Sequence, residues 1–305
     1  LTKPSTNLAL ATKDNGAANL DAALPHAVSK HEIGALTDDF SSMRSALKTY
    51  IKEVQTATAT QQKLESEIQI AKDIQMSMIP GYGNADIKSE AFQLYALLRP
   101  ARTVGGDFYY FEQADEKLHF IVGDVSDKGV PAALFMAKTV TLYTRALRDK
   151  LPPGQTFTMM NDILAENNDA CMFVTALCGS IDLKTGSAVM SNAGHMDPIM
   201  HDSGNTRGHE IKGAIALGLM DAVEYPDVEF QLGHNTSLIM YTDGISEAHD
   251  ADNRQYTDER LIDLITNIGT SNSEETGRKI IDSVDSFAGD AEQFDDITLF
   301  IIRYQ

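Results

Sequence analysis

Aspartates at four places, far apart in the chain, each sit at the edge of a strand-like segment. They are Asp107 in VGGDFYYF, Asp124 in HFIVGDVSDKG, Asp243 in SLIMYTDG and the pair Asp295-Asp296 in FDDITLFIIRY. Three of these segments carry an apolar, β-prone run (Phe120 to Val125, Leu238 to Tyr241, Ile297 to Ile302), which reads as a buried strand. Carboxylates separated by up to about 190 residues converge only if a sheet brings its strand ends to one rim. Such a cluster is not stable alone, because two carboxylates about 5 Å apart repel by roughly 3 kcal/mol at an effective dielectric of about 20. It needs cations, and all-oxygen ligation without a nearby His or Cys cluster suits Mg²⁺ or Mn²⁺. Asp before Gly is also ordinary turn chemistry, which explains any one motif taken singly. The four together point to a two-metal hydrolase.

The composition narrows the partners. Net charge is −19, from 25 Lys and Arg against 44 Asp and Glu, and no basic run appears. A nucleic-acid phosphate partner is therefore not expected. Hydrophobic residues make up 43 % of the 305, enough for a sizeable core, with room for one large and one smaller domain. Cys171 and Cys178 are too few for a disulfide framework and fit a reducing compartment as small buried hydrophobes. No apolar run reaches 18 residues.

From Ile33 a heptad ladder runs through Leu36, Phe40, Met43, Leu47, Tyr50, Val54, Ala57, Gln61, Leu64, Ile68, Ala71 and Gln75 to Met78. Strict three–four spacing over six heptads predicts a coiled coil, ended by Pro80 and Gly81. Its weak rungs (Ala57, Gln61, Ala71, Gln75) suit a helix that shifts rather than locks. Upstream lies a shorter helical stretch from Pro4 to about Ala17, then a connector with Leu24, Pro25 and Val28. TKP at 2–4, Leu8, Ala11, Leu20, Leu24-Pro25 and HEIGAL at 31–36 resemble a HAMP signalling module over residues 1–52; Ser5, Asn15 and Ala18 depart from its usual residues. The resemblance implies a parallel dimeric four-helix bundle that follows a transmembrane helix. The expectation is thus the cytoplasmic part of an inner- or plasma-membrane protein whose membrane-spanning sensor precedes Leu1. The coiled-coil linker would occupy 53–80.

Beyond Gly81 the pattern becomes mixed. Strands are expected at 93–98, 107–111, 118–125, 172–182, 186–193, 228–232, 237–242 and 297–304, and helices at 131–149, 156–168, 257–268 and 273–288. They do not interleave regularly, which favours stacked antiparallel sheets over a Rossmann sheet. AKDIQMSMIP (71–80), RPARTVGGDFYYF (99–111), GDVSDKGVPAALFMA (123–137), NAGHMDP (192–198), ALGL (216–219), YTDGISEA (241–248) and FDDITLFIIR (294–303) then occur in family order. Together they resemble the SpoIIE-like, RsbU-like branch of the metal-dependent PPM protein serine/threonine phosphatases. The resemblance implies an α+β fold, an αββα sandwich over residues 81–305 with the metal site at one rim. It implies that Asp124 bridges two Mn²⁺ or Mg²⁺ ions, with the Val125 carbonyl as a further ligand. Asp243 and Asp295 would hold one metal, with Asp107 supporting the site and Asp296 beside the last ligand. Arg99 or Arg102 would orient the phosphate by bidentate pairing, with a plain rim arginine as the competing reading. His195 reads as a histidine satisfied within its loop, although NAGHMDP also suits a general acid.

Gly129-Val130-Pro131 open an apolar helix just after Asp124, so its movement would misplace a metal ligand. A regulatory switch is expected there, with Gly129, Ala133 and Met136 as its sensitive positions. The substrate implied by the resemblance is a phosphoserine or phosphothreonine on a STAS-domain anti-sigma-factor antagonist, in bacterial partner switching, with the chain a homodimer through HAMP and coiled coil. The rival classes are a catalytically silent dimeric scaffold (a pseudophosphatase), a nucleotide cyclase and a histidine kinase. GGDFYYF resembles the GGDEF signature of cyclases but lacks its Glu, and that family has no place for YTDG or DDIT. No histidine follows His31 within the coiled coil, and no Gly-rich ATP lid follows it, which sets the kinase aside.

Overall fold

A computed structural model of the chain describes residues 32–202, 204–270 and 272–305. The chain divides into two units, Leu1–Glu67 and Ile68–Gln305. Residues 1–31, which carry most of the expected HAMP module, lie outside the described residues.

The first described element is one long helix, α1 (Glu32–Ser77), which passes through the boundary expected at 52/53 without a break. Lys, Gln, Glu and Ala favour it, and its threonines are accommodated by hydroxyls donating back to the carbonyl four residues earlier. Thr49 donates to Ser45, Thr56 to Lys52 and Thr58 to Val54. Over the first unit the apolar rungs Leu36, Met43, Leu47, Tyr50, Val54 and Leu64 are all exposed. The last turns differ. Gln75 and Met76 are buried, and Met76 and Ile79 enter the core of the second unit. Ile68 rather than Gly81 therefore begins that unit. Gln75 and Met78, expected as rungs of the coiled-coil seam, face the globular unit instead. No described helix is long and apolar enough to cross a membrane.

At Pro80–Gly83 a short 3-10 turn with positive φ at Gly81 and Tyr82 reverses the chain. The strands and helices that follow are β1 (Asn84–Lys88), β2 (Phe92–Arg99), β3 (Phe108–Ala114), β4 (Lys117–Val125), α2 (Val130–Arg148), α3 (Pro153–Ala165), β5 (Val174–Asp182), β6 (Ser187–Ala193), β7 (Ile199–Asp202), β8 (Asn205–Gly208), β9 (Val228–Gln231), β10 (Ser237–Tyr241), α4 (Asp243–Ser246), α5 (Asp258–Ile268), α6 (Ser273–Ala288) and β11 (Ile297–Tyr304). They form two antiparallel sheets, ordered β1-β2-β11-β10-β7-β8 and β3-β4-β5-β6-β9. With helices on the outer faces, this is the α+β sandwich that the motifs imply. Short β1, β7 and β8 were not expected from the sequence.

The sheets meet through large side chains. Phe300 of β11 packs on Tyr109, Phe111 and Phe120 of the facing sheet, with ring centroids 5.6, 6.0 and 6.1 Å away. One core continues beneath α2 and α3 through Met136, Val140, Tyr143, Phe157 and Met160. A second, formed by Ile239, Leu299 and Ile301 with Leu261, Ile265, Ile280 and Val284, lies under α5 and α6. Two expected switch residues are placed by this packing. Met136 is fully buried, while Ala133 is half-buried on the next turn position.

Candidate active site

Antiparallel pairing collects the aspartates. Phe108 pairs with Gly123, so the start of β3 lies beside the end of β4. Tyr241 pairs with Leu299, so the end of β10 lies beside the start of β11. Asp107, Asp124, Asp243, Asp295 and Asp296 thereby share one rim of the sandwich.

Their partners differ. Asp107 is 2 % exposed, and its Oδ2 accepts hydrogen bonds from the hydroxyls of Thr242 (2.6 Å) and Thr298 (2.7 Å). Asp296 accepts from the backbone N–H of Ala101 (2.7 Å) and Gly106 (2.8 Å), and more weakly from Asp107 (3.4 Å). Expected beside the last metal ligand, it is instead committed to backbone amides and anchors the GGD loop. Asp295 pairs with Lys128 at 2.8 Å; the same ammonium donates to the Phe294 carbonyl (2.8 Å) and lies 4.1 Å from the Phe294 ring centroid.

Glycines allow the close approach. A Cβ at Gly105 would collide with the Asp296 carboxylate, and one at Gly244 with the Asp296 carbonyl. At Gly106 it would stand 2.7 Å from the Val125 carbonyl oxygen. Gly129, just before α2, has φ of 79°, which a side chain would strain.

The electrostatics are those of crowded carboxylates. Burial, then Asp124 and Asp296, raise Asp107 well above the usual carboxylate range. Burial, followed by Asp243, pushes Asp124 up to about 7. Burial and Asp295 raise Asp243 as well. Among the described residues no three Asp, Glu, His or Cys side chains stand close enough to ligate a single ion. Asp107 is turned to its threonines and Asp295 to Lys128. The donor set nevertheless fits a hard divalent cation: it is all oxygen, and Asp124, Asp243, Asp295 and Asp296 each raise the proton affinity of another member, which a cation would relieve.

The other expected residues are placed as follows. The Arg99 guanidinium makes a bidentate pair with Asp285 on α6 (2.9 and 2.7 Å), so it is occupied rather than free for phosphate. Arg102 is exposed on the loop before the two glycines. His195 is buried; its Nε2 donates to the Tyr241 carbonyl (3.0 Å), which fixes Nδ1 as acceptor of the Thr175 hydroxyl (2.9 Å). Burial lowers its pKa to about 4. It is a neutral tie between β5 and β10, one in each sheet; the sequence reads it as satisfied within its own loop, whereas its ring partners lie on these two strands. The sequence marked Gln75 only as a heptad rung and carried no signal for it at this site. Its Nε2 donates to the Gly105 carbonyl (2.6 Å) and its Oε1 accepts from Gly105 N–H at 3.4 Å. Nor did it signal Lys128.

Comparison with known proteins agrees with this geometry. The family model of stage II sporulation protein E (SpoIIE) matches residues 114–305. Phosphoserine phosphatase RsbU of Bacillus subtilis is 26 % identical over 83 % of this chain and 74 % of its own length. Protein IcfG of Synechocystis is 28 % identical over 89 % of this chain, which spans only 46 % of that protein. The SiaA PP2C domain of Pseudomonas aeruginosa shares the fold, with a TM-score of 0.70 at 21 % identity, covering 81 % of this chain and 99 % of that one. Strand-end aspartates on one rim, an αββα sandwich and a matched family model converge: the chain belongs to the SpoIIE family and is a PP2C-type protein serine/threonine phosphatase.

Proposed function

We propose that the chain hydrolyses phosphoserine or phosphothreonine on a STAS-domain anti-sigma-factor antagonist, as the output of a dimeric membrane receptor in partner-switching signalling. The observation that carries the catalytic part is the rim of mutually destabilised carboxylates. In this reading Asp124, Asp243 and Asp295, with the Val125 carbonyl, hold two Mn²⁺ or Mg²⁺ ions and Asp107 supports them. When bound, such ions supply a hydroxide near neutral pH and offset the charge of the phosphoryl oxygens. Asp296 positions the loop that carries Asp107, and Gly105, Gly106 and Gly244 let that loop close on the rim. Arg102 is the arginine left to meet the phosphate. His195 holds the sheets together and carries no proton in the reaction.

The receptor part rests on the HAMP resemblance of residues 1–52 and on the exposed rungs of α1, which suit a parallel coiled coil with a second copy. In this reading the chain lies on the cytoplasmic side of a membrane. RsbU's designation as a phosphoserine phosphatase supports the phosphoserine part of the substrate.

The test is phosphate release from a phosphoserine STAS-domain protein, with and without Mn²⁺, for wild type and Asp124→Asn. Metal-dependent release that the mutant loses supports the proposal. No release from wild type at high Mn²⁺, also after removal of residues 1–67, favours a silent scaffold over a phosphatase with this substrate.

A further inference from the structure

A cavity of about 350 Å³ opens between the outer face of the β3-β4-β5-β6 strands and the last turns of α2. It lies at the Lys117 end of β4, the opposite end from Asp124. Leu147, Cys178 and Val189 give it an apolar lining, and its size is that of a small-molecule site. Across the sheet, Glu112, His119, Ser180 and Val189 stand in register on four successive strands, and all four line the cavity.

Two features mark it as more than a gap. Tyr143 is 2 % exposed and lines the cavity, yet its hydroxyl makes no hydrogen bond among the described residues. That hydroxyl opens on the cavity, where water or an occupant serves it. At the mouth, Asp115 is taken by Lys150 (2.7 Å) and Glu112 receives the Tyr110 hydroxyl (3.4 Å). Lys117 makes no ion pair among the described residues, and half-buried His119 lies beside it. Lys117 is therefore the one lysine of the lining that no ion pair holds among the described residues, while Glu112 is bonded only to a neutral hydroxyl.

We propose that this cavity binds a small aromatic carboxylate bearing a second oxygen. The ring lies on the Leu147–Cys178–Val189 lining, the second oxygen meets Tyr143, and the carboxylate meets Lys117. Tyr143 and Leu147 belong to α2, whose other end begins five residues after Val125. An occupant there bears on the helix that leads from the aspartate rim, so the site is an effector site; this last step rests on the phosphatase reading.

Binding is tested without metal or substrate, so that it stands apart from that reading. The intact chain is titrated with 4-hydroxybenzoate, 4-hydroxybenzamide and benzoate by calorimetry or NMR. The expected result is saturable binding of 4-hydroxybenzoate on the order of 1 mM or tighter. The uncharged and the singly oxygenated probes should bind at least fivefold more weakly. Tyr143→Phe, which keeps the ring, should lose the preference for 4-hydroxybenzoate over benzoate. Ser180→Trp, which fills the cavity, should abolish binding. Absence of saturable binding, or binding indifferent to Tyr143→Phe, overturns the site even if Ser180→Trp fails to fold. Phosphate release should then change at least twofold at saturating 4-hydroxybenzoate; unchanged turnover with intact binding overturns the effector role.

Discussion

Gln75, in the last turn of α1, holds both polar groups of the Gly105 backbone, donating to its carbonyl at 2.6 Å and accepting from its N–H at 3.4 Å. The last turn of α1 thus rests on the loop that carries Asp107. Gln75→Ala leaves the Gly105 carbonyl buried without that donor and should cost roughly 1–3 kcal/mol of stability. It should also loosen the loop and weaken Mn²⁺ binding. Chemical denaturation and Mn²⁺ calorimetry check this; an unchanged midpoint would show that Gln75 does not support the loop.

Crowding at Asp124 predicts a pH dependence. Its folded pKa, about 7, exceeds an unfolded value of roughly 3.9, so between those values the folded chain holds more protons. Its contribution to metal-free stability therefore falls as pH rises through that window, by up to about 4 kcal/mol. His195 acts oppositely: lowered to about 4, it lets the unfolded chain bind more protons up to roughly pH 6.5, so its contribution grows as pH rises. Asp124→Asn isolates the first effect. The melting temperature of Asp124→Asn minus that of wild type should increase from pH 5 to pH 8 without metal, and shrink with Mn²⁺. A difference that does not vary with pH would argue against the crowding.

The two arginines should separate in kinetics. Arg99 is committed to Asp285, a half-exposed pair contributing about 0.2–1 kcal/mol, so Arg99→Ala should change KM by less than about threefold. Arg102→Ala should raise KM for the phosphoprotein about tenfold if it meets the phosphate, a loss of roughly 1.4 kcal/mol. Steady-state kinetics on both variants decides it, and the reverse order would return Arg99 to the phosphate.

Charges placed on the exposed ladder test self-association. Leu47→Asp with Val54→Asp should turn a dimer into a monomer in light scattering, while the melting temperature of the second unit stays within about 2 °C, since neither residue reaches its core.

Much of this architecture was legible because its signals are local. The runs at Phe120–Val125 and Ile297–Ile302 are too apolar for anything but buried strands, the first carrying Asp124 near its end and the second following Asp295-Asp296. The helices starting at Val130, Asp258 and Ser273 carry their own periodicity. Strand β8, with little buried side, leaves no such trace, and four-residue β7 is too short to set a period. At the rim the legible part was which residues gather, since each motif marks a strand end. What they touch was not legible. The partner of Arg99 lies 186 residues away, and Asp296 meets Ala101 across 195. Gln75 fitted a heptad position equally well, and only the packing of Met76 and Ile79 shows which way that turn faces.

The exposure of Leu36, Met43, Leu47, Tyr50, Val54 and Leu64 on α1 has a thermodynamic consequence. A helix without a packed face is marginal in water, since each ordered residue must be offset by propensity alone. Where these rungs meet no core among the described residues, helicity and self-association become one equilibrium, and the helical content of this stretch should rise with protein concentration.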